Sequence, residues 1–500
     1  MQLSEYFPKN ALIHFVGVGG IGMSGIAIIL HNLGYKITGS DATENGITQR
    51  LKLMNILISI GHSSHLVSNA TVIVISSAIK CDNPEIIEGR KKSIPIIHRA
   101  DMLAELMKYN LSLVVAGSHG KTTTTALCAT LYETAGQDPT VINGGIIPAF
   151  HGNSKLGDGK WIIVESDESD GSFLKLPVTI GVITNIDAEH LQYYCSFENL
   201  ILAFQQFLQN IPFYGLSIVY NENEAIRKII SVVHDRRIVT YGLTNDADIS
   251  AQNIRLGPFG ALFNVVFNAH SVFIKNSFLK ITEGDEYTWQ DVKLPIYGQH
   301  NVLNSLVVVA VALEMGFEEE IVRKSLEGFQ GVERRLTKVD TVHGITILDD
   351  YAHHPVEILA SLAAVQSMLS SLLHSGNGEE GRIIAIFQPH RYSRLASLFH
   401  DFCNCFHVAD FVLISPVYSA GELSDEYNGM NSSLLINGIL ASLNHMKSNQ
   451  ILKLFNHPSE IAPLIYDYAL PGDIIIFMGA GSITLWAYSL AKELNELYSK

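Results

Sequence analysis

Five hundred residues with a net charge of −15, 17% charged and 47% hydrophobic, are too many for one core and too apolar for a disordered chain. An acidic balance without a Lys/Arg cluster excludes a surface built to neutralise nucleic-acid phosphates, and about three domains are expected. The five cysteines (81, 128, 195, 403 and 405) form no Cys-x-x-Cys pair and read as reduced thiols of a cytoplasmic protein.

Residues 1–10 carry no basic region leading into an apolar core, so no signal peptide is expected. No Asp, Glu, Lys or Arg falls between Asn10 and Tyr35, but glycines, His14, His31 and Asn32 interrupt the stretch. Strand, turn and helix explain it better than a membrane span. Leu12–Val18 reads as a buried parallel strand running into Gly17-Val18-Gly19-Gly20-Ile21-Gly22, then a helix to about Leu33 with Gly34 as its stop. A second strand ends at Ser40-Asp41, which places a carboxylate about 20 residues past the turn. This is a dinucleotide fingerprint, and it keeps an NAD-dependent oxidoreductase in play. A UDP-linked ligand presents the same pyrophosphate and ribose. Strands at 56–60, 71–76 and 94–97 alternate with helical segments, so ligands are expected at the strands' C-terminal ends. His62 and Ser76 stand at two such ends. Taken by itself, His62 reads rather as an ordinary loop histidine.

A first domain is expected to close near Asn110. The apolar run Leu111–Ala116 then enters Gly117-Ser118-His119-Gly120-Lys121-Thr122-Thr123 and a helix reaching Ala135. Backbone N–H groups of such a turn and helix start converge on one anion. Lys121 adds a positive charge for terminal phosphates, and Thr122 a hydroxyl within reach of Mg²⁺. The spacing departs from Gly-x-x-x-x-Gly-Lys, since valine stands at 115. ATP is the expected ligand.

Trp161–Val164 ends in Glu165-Ser166-Asp167-Glu168-Ser169-Asp170, and Thr179–Thr184 ends in Asn185-Ile186-Asp187-Ala188-Glu189-His190. Either could be a solvated acidic loop, yet strand ends beside a phosphate loop are where Mg²⁺ is held. A helix at 197–209 and a β-rich part at 248–295 follow. His300 and Asn304 then share one helix face, fit to meet a base or ribose, with a helix cap at Asn301 as the plainer reading. Gly331-Val332-Glu333-Arg334-Arg335 reads as a junction. Beyond it, Asp349-Asp350-Tyr351-Ala352-His353-His354-Pro355 and Gln388-Pro389-His390-Arg391-Tyr392-Ser393-Arg394 end two strands of a further βα domain. A cation there suits a carboxylate or phosphate. A glycine-rich loop at 376–381 and a Gly-Ala-Gly turn at 479–481 complete the pattern.

In this order, GVGGIGMSGIA, GSHGKTTTT, ESDESDGSF, TNIDAEHL, GQHNVLN, GVERR, DDYAHHP and QPHRYSR make the chain similar to the Mur ligase family over essentially its whole length, in particular to its alanine-adding branch. The resemblance implies an α/β protein of three domains. These are an N-terminal Rossmann-like parallel sheet for UDP-sugar (1–110), a central P-loop-type ATPase sheet with an added β-rich part (111–333), and a C-terminal Rossmann-like amino-acid-binding domain (334–500). It implies that Gly117, Ser118, His119, Gly120, Lys121, Thr122 and Thr123 hold ATP phosphates, that His300 and Asn304 meet adenosine, and that Arg335 closes over them. Thr122, Glu165 and His190 would bind Mg²⁺. Gly19, Gly22, Asp41, His62 and Ser76 would line the sugar-nucleotide site, and Tyr351, His353, His390, Arg391 and Arg394 the site for the muramoyl carboxylate and alanine.

The implied chemistry is ATP-dependent joining of L-alanine to the lactyl carboxylate of UDP-N-acetylmuramate through an acyl phosphate. Lys121 and Arg391 would act on the reacting groups, with His353 as candidate base. The resemblance further implies a cytoplasmic enzyme, monomeric or weakly dimeric, without nucleic-acid or membrane partners, hinging near residues 110 and 335. Three departures stand out. No lysine falls between Lys175 and Lys228, where sister ligases carry a carbamylated one; this fits the alanine branch. Glu189 replaces the usual Asp, which leaves the reach of that carboxylate open. Gly-Ala-Gly-Ser replaces the usual Gly-Ala-Gly-Asn, so no role is assigned there. The competing readings are a family member that adds a recycled tripeptide, the oxidoreductase, and a non-catalytic nucleotide sensor.

Overall fold

The computed structural model describes residues 7–257, 259–279, 287–374, 381–442 and 450–499. Residues 1–6 of the N-terminal stretch, and all of the glycine-rich 376–381 loop except Gly381, lie outside them. Three sheets organise the rest. The first joins β1 (Leu12–Val16), β2 (Lys36–Asp41), β3 (Leu57–Ile60), β4 (Val72–Ile75) and β5 (Ile96–His98) in the order β3-β2-β1-β4-β5, all parallel. The strand order reverses between β1 and β4, and in a doubly wound sheet the crevice at that point is where ligands sit.

The second sheet has ten strands: β6 (Leu111–Ala116), β7 (Thr140–Ile147), β8 (Gly152–Lys155), β9 (Trp161–Glu165), β10 (Ile180–Ile183), β11 (Leu216–Tyr220), β12 (Ile238–Gly242), β13 (Ile249–Gly257), β14 (Gly260–Phe267) and β15 (Tyr287–Leu294). Its order is β15-β14-β13-β12-β11-β10-β6-β9-β7-β8. The phosphate-loop strand β6 lies between β10 and β9, so both acidic strand ends flank the loop. The third sheet comprises β16 (Thr337–Val342), β17 (Ile345–Asp350), β18 (Ile383–Phe387), β19 (Phe411–Ile414), β20 (Ile451–Leu454) and β21 (Ile474–Met478), in the order β16-β17-β21-β18-β19-β20. The edge pair β16–β17 is antiparallel and the other pairs are parallel.

The residues through Gln252, with Asn264–Val292 and Leu303–Gln330, form one compact unit; Asn253–Phe263, Lys293–Val302 and the chain from Gly331 form the other. A division thus falls at 330/331, while the residues on either side of 110 pack within one unit. Within the first unit one apolar cluster runs unbroken from Ile13, Phe15 and Ile26 to Val114, Ile162 and Phe204. The first helix, Ile21–Asn32, ends before Gly34 at φ +88° and packs on β7 and β8. There Asn153 Nδ2 donates to the Ile21 carbonyl at 2.8 Å. In the second unit, helix Pro355–His374 is long and apolar enough to cross a membrane. It instead buries Ile358, Leu362 and Val365 in the core of the third sheet.

Candidate active site

Gly117 (φ +127°) and Gly120 (φ +82°) bend the chain from β6 into helix Lys121–Thr134. Both must be glycine. A Cβ on Gly117 would lie 2.2 Å from Thr184 Oγ1, and one on Gly120 would lie 2.7 Å from Asn304 Oδ1. The end of β10 braces the loop: Ser118 N–H donates to the Asn185 carbonyl (3.0 Å) and His119 N–H to Asn185 Oδ1 (2.8 Å). Thr184 Oγ1 donates to the His119 carbonyl (2.6 Å), and Asp187 N–H to Ser118 Oγ (2.9 Å). The buried Thr123 and Asn304 complete the loop's surroundings.

Lys121 Nζ donates to the carbonyls of Gly117 and Ser118 and, at 2.9 Å, to Glu168 Oε1. Burial alone would lower its pKa, but Glu168, Glu165 and Asp167 outweigh that and raise it, so the ammonium stays charged. Glu168 is buried, and its Oε2 has no hydrogen-bond partner. Thr122 Oγ1 donates to Glu165 Oε1 at 2.9 Å, while the other Glu165 oxygen accepts the Gly144 N–H at 2.6 Å. Gly144 admits the carboxylate because a Cβ there would sit 2.5 Å from it. His190, itself at φ +56°, places Nε2 3.6 Å from Glu168 and 3.6 Å from Glu189. Ligand atoms of Glu168, Glu189 and His190 lie within 4.8 Å of one another. Glu189 also reaches His119 Nε2 at 3.4 Å, so the longer carboxylate spans two imidazoles. The sequence named Glu168 only among the carboxylates that follow the strand and gave it no role of its own; its pairing with Lys121 is what the fold adds.

In the first sheet, the N–H groups of Gly17 and Val18 donate to the Ser40 carbonyl, and the Gly19 N–H donates to Asp41 Oδ2 at 2.8 Å. Asp41 is therefore turned onto the glycine turn itself. Ser76 Oγ stands 3.0 Å from where a Gly17 Cβ would be. Gly22 lies under Arg99, whose Nη1 would meet a Cβ at 2.3 Å; Arg99 also pairs with Asp167 Oδ2 at 3.0 Å. His62 Nδ1 lies 3.0 Å from Oε1 of the buried Glu85.

In the third sheet the two polar motifs and the Gly-Ala-Gly turn end the adjacent strands β17, β18 and β21. The Arg334 and Arg335 guanidinium carbons stand 4.7 and 5.3 Å over the Tyr351 ring. Arg334 also donates to the Gly479 carbonyl at 2.7 Å, so this turn is a bracket for the junction. His353 Nδ1 is 2.9 Å from the Tyr351 carbonyl and 3.2 Å from Glu357 Oε2, which leaves Nε2 as the outward nitrogen. His390 stacks on Tyr418 at 5.4 Å and 10°. Burial, with His353, Arg394, Arg391 and Arg334 around it, pushes its pKa down to about 3, so it is a neutral acceptor near pH 7. Arg391, at φ +69°, caps the helix Tyr392–Ser397 that carries Arg394. Half-buried His300 is lowered to about 4 by desolvation and by Arg335.

The buried Asp349 is pushed up to about 6, mainly by burial, and its Oδ2 has no partner. A carboxyl raised in the folded state favours the protonated form, so stability is present below pH ~4 and is lost as pH rises through ~6. For Asp349→Asn, thermal unfolding should show the variant gaining on the parent by on the order of 3 kcal/mol between pH 4 and 7.5. A pH-independent gap would contradict this.

An anion loop with a charged lysine, a threonine–glutamate pair beside it and a second glycine turn on a separate sheet define a nucleotide-dependent α/β enzyme with an acidic metal-type cluster. Three family models match end to end: the Mur ligase family catalytic domain over residues 12–110, the Mur ligase middle domain over 115–312 and the Mur ligase glutamate ligase domain over 334–481. The chain belongs to the Mur ligase family. It is 45% identical over 490 residues to a UDP-N-acetylmuramate–L-alanine ligase of Brucella anthropi, covering 98% of both chains. It is 46% identical to one of Chelativorans, covering 97% of this chain and 98% of that one. The crystal structure of a UDP-N-acetylmuramate–alanine ligase from Thermotoga maritima matches with TM-score 0.79 and 27% identity, covering 98% and 99% of the two chains. A murein peptide ligase from Psychrobacter arcticus shares the fold, with TM-score 0.70 and 21% identity over 97% and 99%.

Proposed function

We propose that this chain is an ATP-dependent ligase that joins L-alanine to the lactyl carboxylate of UDP-N-acetylmuramate, releasing ADP and phosphate, in the cytoplasmic synthesis of peptidoglycan precursors. The observation that carries the reading is chain-length similarity at 45% to ligases of that name, together with the complete Lys121–Glu168 and Thr122–Glu165 arrangement. The lactyl carboxylate attacks the γ-phosphorus of ATP, giving an acyl phosphate and ADP. The alanine amine then attacks the acyl carbon, the ammonium proton passes to a base, and phosphate leaves.

Gly117 to Thr123 cradle the phosphates, and Lys121 neutralises charge on the transferring group. Hard oxygen donors at Thr122 and Glu165, with His190 and the orphaned Glu168 oxygen close by, suit Mg²⁺, which would supply further charge neutralisation. On this reading Asn304 and His300 would meet adenosine, and Arg335 the phosphates. Gly19, Gly22, Asp41, His62 and Ser76 line the sugar-nucleotide site. Arg391 and Arg394 hold carboxylates, while Tyr351, His353 and His390 surround the amine. His353 is the candidate base, because its Nδ1 is committed to the Tyr351 carbonyl and Glu357.

The test is phosphate release from MgATP and UDP-N-acetylmuramate with L-alanine, glycine, L-serine or the recycled tripeptide added singly. Release that needs both the sugar nucleotide and L-alanine is expected. Release with the tripeptide alone would assign the tripeptide-adding activity instead. No release with any acceptor, accompanied by NAD binding, would favour the oxidoreductase.

A further inference from the structure

Glu85 is the second residue of helix Pro84–Lys91, whose start is capped by Asn83, and its side chain is fully buried. Four donors from three segments converge on it. His14 Nε2 (2.9 Å) and Ser40 Oγ (2.8 Å) meet Oε2; His62 Nδ1 (3.0 Å) and the Ser63 N–H (3.2 Å) meet Oε1. His14 in turn faces Thr38 Oγ1 through Nδ1 at 2.8 Å. Burial acts to raise the Glu85 pKa, yet His14, Ser40 and His62 outweigh it and hold the group ionised. A buried charge is poor structural cement, since apolar residues of like volume often serve as well. Nothing in the ligation steps uses it.

What the carboxylate does fix is direction. It takes the Nδ1–H of His62, so the lone pair sits on Nε2, turned away from the interior; the His62 side chain is 20% exposed. It also commits the Ser40 hydroxyl, on the residue whose carbonyl anchors Gly17 and Val18 of the glycine turn. We propose that Glu85 is a positioning residue of the sugar-nucleotide site, which holds His62 in its Nδ1–H tautomer so that Nε2 accepts a hydrogen bond from the uridine half of the ligand. The inference rests on the sugar-nucleotide reading of this sheet.

Substitution chemistry separates positioning from bulk or charge. In Glu85→Leu both carboxylate acceptors vanish and His62 Nδ1 keeps only the longer contact to the Ser40 hydroxyl, at 3.2 Å, which no carboxylate then orients. In Glu85→Gln the amide oxygen must face the Ser63 N–H, which can only donate, and therefore also faces His62; the amide nitrogen turns to His14 and Ser40, which can both reorient as acceptors. Calorimetric titration of the full-length protein with UDP is the experiment. Glu85→Leu should weaken UDP about tenfold, the size of one well-placed hydrogen bond. Glu85→Gln should restore affinity to within about twofold. His62→Ala should weaken UDP as Glu85→Leu does, and the double variant should lose no more than either. MgATP affinity should not move in any of them.

Ring-nitrogen NMR should find the Nδ1–H form of His62 in the parent and in Glu85→Gln. This readout, with His62→Ala, decides the matter even if Glu85→Leu fails to fold. Equal losses in Glu85→Gln and Glu85→Leu, additive losses in the double variant, or an Nε2–H tautomer in the parent would each overturn the proposal. A parent protein that does not bind UDP would sink the sugar-nucleotide reading and this proposal together; intact UDP binding that Glu85→Leu leaves unchanged overturns the proposal alone.

Discussion

Lys121→Ala is expected to abolish acceptor-dependent phosphate release, with kcat reduced by about three orders of magnitude or more. Two effects contribute, and they can be separated. The first is chemical: the ammonium sits on the Gly117 and Ser118 carbonyls at the start of the helix, where the proposed ligand's terminal phosphates would meet the loop, and nothing else in the loop carries a fixed positive charge. The second is structural. Removing the lysine strands the buried Glu168 without its counter-charge, and breaking such a pair costs about 3–5 kcal/mol. Replacing both partners, as in Lys121→Met with Glu168→Leu, should recover most of the lost thermal stability and none of the turnover. Turnover returning with stability would mean that the lysine acts only as a strut.

The second large effect is expected at Glu165. Its two oxygens are claimed separately, one by the Thr122 hydroxyl and one by the Gly144 N–H, so the carboxylate cannot swing. Glu165→Ala should lower kcat by about a hundredfold or more and move the Mg²⁺ concentration needed for half-maximal rate upward. Thr122→Val should shift the Mg²⁺ requirement in the same direction by less, because Gly144 still holds the glutamate. A rate loss with an unchanged Mg²⁺ titration would take Glu165 out of the metal site.

Much of this site was legible because the chemistry sits at strand ends, and strand ends announce themselves. Apolar runs at 111–116, 161–164 and 180–183 are each followed by polar residues that have no reason to be in a core. Where the strand itself is atypical, the signal fails. β7 (TVINGGII) carries Asn143, Gly144 and Gly145, and β8 (GNSK) has no apolar residue, so neither reads as a strand; β7 exists because it pairs with β9, β8 because it pairs with β7, and the first helix packs against both. Partners distant in sequence are invisible for another reason. Glu85 meets His14 across 71 residues, and Arg99 meets Asp167 across 68; no local period relates them. Arg334 was likewise seen only as part of a junction. Its grip on the Gly479 carbonyl needs the neighbouring placement of β17 and β21.

The first helix is fastened at its start to the second sheet. Asn153 takes the Ile21 carbonyl, Gly25 gives way to Asn153, Ser154 and Ile142, and Arg99 lies on Gly22 while reaching Asp167. The residues on the two sides of Asn110 are therefore tied together by side chains from both. An exchange that imported the first hundred or so residues of a sister ligase would carry a foreign helix face to an unmatched seat, and would leave the acidic strand end without its arginine. A graft expected to fold would have to move β7, β8 and the 165–170 segment with it.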